Sequence, residues 1–326
     1  MKFGIIGLGN HAINRVMPAI ASSGNSITAI YSRKLEKAQV HGKSYGAQAF
    51  EDLQLMLTDG DFESVYIASP NFLHFEQARL SLEKGKHVLL EKQMTLTSEE
   101  ASELVRISEK EGKTLAVGFH MRFHPAVQEI REMVQSGALG NVTCIRGSWG
   151  GLSRRPEDNP DRQWWSDEEK AGGGSVMGTG VHVIDTINFI LGREPKRVSA
   201  FRNPAGRIID DIECIMMDYD GIISTAVSSR SIAKPMNDLV VEGTINSIKA
   251  AGVFGTQVNS KLYDSYNVVI REYSPVNMYE REVVSFVSKT QGKSELIASG
   301  RDGEAVVKIV NKAYDTDRNS LISSSS

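Results

Sequence analysis

Cysteine is nearly missing from this 326-residue chain: Cys144 and Cys214 are its only two, both inside apolar runs that read as strands. With no Cys-x-x-Cys pair and no zinc-ligand spacing, a disulfide framework and a cysteine-based metal centre are excluded, and no metal site is expected. The two thiols read as reduced and buried. An excess of positive charge is missing too. Lys and Arg number 37 against 40 Asp and Glu, a net charge of −3, with a pI near 6.2. That balance leaves no electrostatic footprint for nucleic acid. No apolar run approaches the ~20 residues of a membrane span, and the opening stretch reaches glycine too soon to be a signal-peptide core. Together these absences point to a cytoplasmic protein whose partner is a small molecule.

A chain of this length suggests two domains at about 150 residues each. The first part alternates short β-branched runs with amphipathic stretches, the pattern of a parallel sheet crossed by helices. Strands are predicted at Lys2–Ile6, Ser26–Tyr31, Gln48–Phe50, Ser64–Ala68, His87–Leu90 and Thr114–Gly118. Thr97 and Glu100 form a capping-box pair ahead of Ala101, Leu104, Val105 and Ile107. Pro125 opens a further helix that ends at Gly137 and leads into the strand Val142–Trp149. The stretch from Gly150 to Gly174 is a long polar loop containing Trp164 and Trp165, expected to be functional. After a helix from Gly180 to Leu191, strand runs recur at Arg197–Phe201, Ile212–Met217, Ile222–Ser229, Leu239–Thr244, Ser247–Ala251 and Val268–Tyr273. Helices no longer separate them, so this sheet should be antiparallel or mixed. A closing helix from Gly303 to Tyr314 and the serine tail Ser323–Ser326 complete the chain. The fold class is therefore α/β: a doubly wound parallel sheet over residues 1–120, then an α+β domain with an open, largely antiparallel sheet over 121–326.

Gly7-Leu8-Gly9-Asn10-His11-Ala12 lies between the first strand and a helix, matching the dinucleotide fingerprint with alanine in its third glycine place. Gly7 makes the tight turn, Gly9 lets the backbone approach a pyrophosphate, and the helix start at Asn10 and His11 offers free N–H groups. Residues 1–120 thus read as a Rossmann domain. At the end of the second strand, where a carboxylate would bind a ribose 2′-hydroxyl, the chain has Ser32, Arg33 and Lys34. Arg33 can grip a 2′-phosphate with both prongs of its guanidinium, so NADP is expected over NAD.

Other motifs then fall into order: Ser69-Pro70-Asn71 with His74; Gly85-Lys86-His87-Val88 through Glu91-Lys92; Arg122-Phe123-His124-Pro125; Gly172-Gly173-Gly174; Gly180-Val181-His182 with Asp185; and Asp302-Gly303. In this order and spacing the chain resembles, over nearly its whole length, the glucose-fructose oxidoreductase / inositol dehydrogenase / MocA family. The resemblance implies an N-terminal Rossmann domain, a C-terminal domain whose open sheet serves oligomerisation, and a substrate pocket between them. It implies oxidation or reduction of a hydroxyl or carbonyl on a sugar, polyol or related molecule, with Lys92 and His182 as the catalytic pair and a homo-oligomer, dimer or tetramer, as the assembly. Three positions depart from the pattern. Gln93 stands where most members have proline, Gly178 where many have aspartate, and Trp165 where some have arginine after Trp164.

Hydride transfer needs the nicotinamide held against a carbinol carbon and a group that takes or returns the hydroxyl proton. Lys92 falls just past the fifth strand, at the carboxyl edge where such folds bind ligands, and burial would lower its pKa. His182 and Asp185, three apart, share a helical face suited to an imidazole held in one tautomer. Ser69, Pro70, Asn71, His74 and Glu91 are expected along the cofactor. Arg122, read as an unpaired guanidinium, would bind a substrate oxygen or cofactor phosphate, with Trp164 nearby. Two other readings compete: a non-catalytic nucleotide sensor, and a redox-neutral, glycosidase-like enzyme that keeps its nicotinamide bound.

Overall fold

The structure, a computed structural model, describes residues 1–152, 160–256, 259–293 and 296–323. Part of the expected Gly150–Gly174 loop and the tail past Ser323 lie outside the described residues. The chain divides into two compact units, Met1–His120 with Asn277–Val307, and Met121–Val276 with Lys308–Ser326.

The first unit is built on β1 (Lys2–Ile6), β2 (Ser26–Tyr31), β3 (Gln48–Phe50), β4 (Ser64–Ile67), β5 (His87–Leu90) and β6 (Leu115–Val117). The sheet order β6-β5-β4-β1-β2-β3 is that of a doubly wound dinucleotide fold, with its switch point between β1 and β4. These six strands run parallel. Phe3, Ile5, Ile6, Val65, Tyr66, Ile67 and Val88–Leu90 are fully enclosed, as strands covered on both faces must be. The expected capping box forms, Thr97 accepting from the Glu100 amide at 3.2 Å. A two-residue strand, Ala298–Ser299, pairs antiparallel with β6 at the sheet's edge.

That edge strand belongs to a segment which the sequence division at residue 120 assigned to the second domain. The helix Met278–Thr290, whose start is capped by Asn277 accepting from the Glu280 amide, packs with the first unit. Its Phe286 ring lies 5.9 Å from that of Phe3, and the helix runs against the helical segment that follows β1, so its apolar face finds its partner in the first unit rather than in the chain preceding it.

The second unit carries an eight-stranded sheet: β7 (Val142–Leu152), β8 (Arg197–Asn203), β9 (Ile212–Asp218), β10 (Ile223–Ser229), β11 (Ser231–Gly243), β12 (Ser247–Ala251), β13 (Ser260–Tyr263) and β14 (Val269–Tyr273). Its order is β14-β13-β12-β11-β7-β10-β9-β8, and only the β7–β10 pair is parallel. The strand expected from Leu239 begins earlier, at Ser231, because a register shift between Ser231 and Met236 accommodates Pro235. The helix Val181–Leu191 covers one face so closely that a Cβ on Gly147 would stand 2.4 Å from Val183. On the other face Phe201, Met216 and Ile223 remain open, 42–69% exposed. Among the described residues no helix is long and apolar enough to cross a membrane.

Candidate active site

In the first unit the fingerprint turn has the geometry its glycines foretell. Gly7 sits at φ +94°, and a Cβ there would meet the Ala68 backbone and the Ser69 nitrogen at 2.7 Å. Only glycine allows the β1 and β4 loops to approach this closely. A Cβ on Gly9 would find its nearest neighbour at 3.9 Å, so this peptide faces open space. A helical segment follows from Asn10 to Ser22, with the Ile13 amide donating to the Gly9 carbonyl at 3.0 Å. Tight turn, open peptide and helix start together fit a diphosphate. Past β2, Ser32 accepts from the Lys34 amide at 3.3 Å, Arg33 and Lys34 are exposed, and no carboxylate occurs before Glu36. The rim thus presents one hydroxyl and two basic side chains.

The β4 and β5 loops are tied together by His74. Fully buried, its ring reaches the Gln93 carbonyl at 2.7 Å and the Ser69 carbonyl at 2.9 Å. Burial pushes its pKa down against these two contacts. A side chain expected along the cofactor is thus engaged by backbone on both sides, and it acts by fixing the loops that carry Ser69 and Lys92. Asn71 is buried in the same turn.

Lys92 is half-buried immediately after β5, and its peptide bond to Gln93 is cis. Burial lowers its pKa while the neighbouring Glu91 charge opposes that shift. Glu91 has its own cluster: the Tyr66 hydroxyl donates to Oε1 at 2.7 Å, and His11 Nε2 lies 3.2 Å from the same oxygen. Burial alone would raise this carboxyl, but His11, Tyr66 and Lys92 outweigh it and hold the value near 2. The His11 ring also packs edge-on against Tyr279 at 5.2 Å, and His120 lies 4.6 Å from the same Tyr279 ring. Burial, reinforced by His11, drives His120 to about 3. Tyr66 and Tyr279, two of the groups that organise this cluster, were not singled out from the sequence: one lies in an apolar strand, the other in a helix remote along the chain.

In the second unit His182 is 2% exposed on the first turn of its helix, with Trp149 at 5.3 Å between ring centroids. Trp149 is itself stacked on Phe254 at 5.7 Å. Asp185 is taken by Arg122, whose Nη2 and Nε donate to the carboxylate at 2.6 and 2.9 Å. Both side chains are almost fully buried. The expectation that Arg122 is unpaired is therefore corrected: residues 63 positions apart form a two-pronged ion pair, which neither local pattern could announce. Position 178, where an aspartate was looked for, is open, with nothing within 4 Å of a Cβ placed there.

Asp210 was also missed. It accepts from the Gly174, Ser175 and Val176 amides at 2.9, 2.9 and 3.3 Å and from the Ser175 hydroxyl. A Cβ on Gly174 would fall 1.9 Å from the Asp210 carbonyl oxygen. Gly174 thus lets the chain press against the Asp210 backbone, just ahead of β9, immediately before the turn Val176–Gly180 and the His182 helix. Trp164 stacks on Trp165 with centroids 4.5 Å apart.

Comparison with known proteins follows the same division. Residues 1–119 match the GFO/IDH/MocA description of an oxidoreductase family with an NAD-binding Rossmann fold, and residues 127–249 match the GFO/IDH/MocA C-terminal domain. An uncharacterized oxidoreductase of Rhizobium meliloti is 31% identical over 78% of this chain and 75% of its own length. A D-xylose 1-dehydrogenase (NADP+) of Haloferax volcanii is 26% identical over 97% of each chain. Among solved structures, the aldose-aldose oxidoreductase of Caulobacter crescentus in complex with glycerol superimposes with a TM-score of 0.87 at 24% identity, covering 98% of each chain.

Proposed function

The chain belongs to the GFO/IDH/MocA oxidoreductase family, and from that premise we propose that it is an NADP(H)-dependent dehydrogenase or reductase acting on a hydroxyl or carbonyl of a sugar, polyol or related molecule. The bound nicotinamide supplies the hydride acceptor or donor; the chain's own side chains supply position and a proton path. Gly7, Gly9, Asn10 and His11 form the diphosphate turn, Ser32, Arg33 and Lys34 the 2′-phosphate rim, and Ser69, Pro70, Asn71 and Glu91 the turns beyond it. His182 exchanges the substrate hydroxyl proton. Lys92, its charged form disfavoured by burial, relays that proton or orients the reacting oxygen. Asp185 and Arg122 act through their ion pair as a clamp on the His182 helix, and Trp164 borders the substrate.

The observation that carries this reading is the cradle at Gly7 and Gly9, closed against Ala68 on one side and open on the other. The preference for NADP rests on the cationic rim and is supported by the NADP+ named for the Haloferax relative. A panel of aldoses, ketoses, polyols and lactones with NADP(H) and NAD(H), followed at the nicotinamide absorbance, tests both. Turnover of at least one sugar with NADP preferred is expected. Arg33→Ala should weaken NADP binding about ten- to a hundredfold, the worth of a charge-assisted contact. Unchanged NADP affinity in that variant would refute the preference. We further propose that a second copy covers the open face of the second unit's sheet, where Phe201, Met216 and Ile223 stand.

A further inference from the structure

The second unit holds a cleft of about 370 Å3 walled by Trp165, Ser166, Arg207, Ile209, Asp211 and Arg230. Its volume lies within the ~300–1,000 Å3 of small-molecule sites, and hydride transfer uses none of these residues. Arg230 Nε donates to Asp211 Oδ1 at 2.7 Å, and Arg207 Nε donates to Glu168 Oε1 at 2.9 Å. Each guanidinium thereby spends its inner nitrogen on a carboxylate and keeps its terminal nitrogens without a protein partner among the described residues. The Trp165 ring is backed by Trp164 at 4.5 Å, with 27° between their planes, which gives the cleft an aromatic wall.

These parts suit one ligand chemistry. A pyranose presents an apolar C–H face and a rim of hydroxyls, each both donor and acceptor. Trp165 and Ile209 match the face, while the Asp211–Arg230 pair sets an acceptor beside donors, the arrangement adjacent hydroxyls require. Because each arginine already has its carboxylate, the wall is close to neutral, and an anionic ligand would have to compete with Asp211 and Glu168. The cleft also shares a loop with the His182 segment: Ile209 and Asp211 flank Asp210, whose carboxylate accepts from the Gly174 and Ser175 amides.

We propose that this cleft is a glycosyl subsite for an uncharged pyranose ring, so that the preferred substrate is a glycoside or oligosaccharide rather than a free monosaccharide. The substrate half of this statement rests on the oxidoreductase reading; the binding half does not. The test titrates the intact protein, without nucleotide, with maltose, cellobiose, lactose, sucrose, glucose, and the methyl glycosides of glucose and glucuronic acid, read by tryptophan fluorescence and calorimetry. At least one disaccharide should bind about tenfold more tightly than glucose, the worth of one good polar contact. Trp165→Ala should abolish the fluorescence change. Arg207→Ala, at an exposed position and checked by circular dichroism, should weaken the disaccharide several-fold and raise its KM relative to that of glucose. The subsite is overturned if no disaccharide binds better than glucose, if both variants bind as the parent does, or if the methyl glucuronide binds more tightly than the methyl glucoside. Disaccharide binding in a protein that fails to bind NADP or NAD would overturn the oxidoreductase reading and leave the subsite standing.

Discussion

His11 illustrates how one side chain within a backbone motif acquires a second task. The fingerprint needs only its amide, yet its ring turns to Glu91, and Glu91 adjoins Lys92. Removing the proposed proton-transfer groups is the direct trial: His182→Ala and Lys92→Ala should each lower kcat about 10²–10⁴-fold, the range of positioned acid–base catalysis, with unchanged circular dichroism. Near-normal turnover in both would discard the assignment. The buried histidines make a separate prediction about stability. His74 is held below the ordinary 6.5, and His120 falls from 6.5 to about 3. Each takes up its proton at lower pH in the native state than in the unfolded chain, so their contribution is complete above pH 6.5 and is lost as pH falls through the native values, about 3 for His120. Below 4.5 the protonation of Glu91, native value about 2, adds to the loss. Melting temperature should therefore decline steadily from pH 7 to 4, and His120→Gln should flatten the slope; an unaltered slope would contradict the burial argument.

At the scale of elements, the sequence was most informative where a local pattern has a local cause. The six strands β1 to β6 lie within one residue of their expected bounds, because apolar runs bounded by glycine and polar turns report burial directly. The Tyr279 helix carried its own signal, Asn277 with Glu280 at the capping spacing, which was not singled out from the sequence, and no periodicity can tell which unit an apolar face will join. The Arg122–Asp185 and Asp210 contacts and the reach of His74 to Gln93 were illegible for the same reason: each joins residues 19 or more positions apart, so neither charge nor spacing along the chain records the pairing. The Asp210 clasp yields a prediction of its own. Asp210→Ala strands the Gly174 and Val176 amides in a buried turn, the Ser175 amide keeping the Asp210 carbonyl, and should destabilise the protein by about 2 kcal/mol or more, with Asp210→Asn recovering part of the loss. Urea denaturation of the two variants provides the comparison, and equal midpoints with the parent would remove the clasp from the account.

For the whole molecule, the division into a Rossmann unit and a sheet-bearing unit was readable from the change in rhythm after residue 120, whereas the return of Asn277–Val307 to the first unit was not. The open face of the second sheet offers the trial of assembly. Phe201, Met216 and Ile223 lie on its uncovered side, so Met216→Asp should shift the mass measured by light scattering toward the monomer without altering the far-ultraviolet spectrum. A parent protein already monomeric at micromolar concentration would exclude that face as an interface.

The pairing of Ala298–Ser299 with β6 bears on how this protein can be cut. A fragment ended at His120, where the motifs invite a truncation, leaves Leu115–Val117 with a bare row of amides and carbonyls and uncovers Phe3 as well. Such a row templates ribbon-to-ribbon growth, so the isolated nucleotide-binding piece should cloud and precipitate at concentrations where the intact chain stays clear, unless the distant segment is spliced back on.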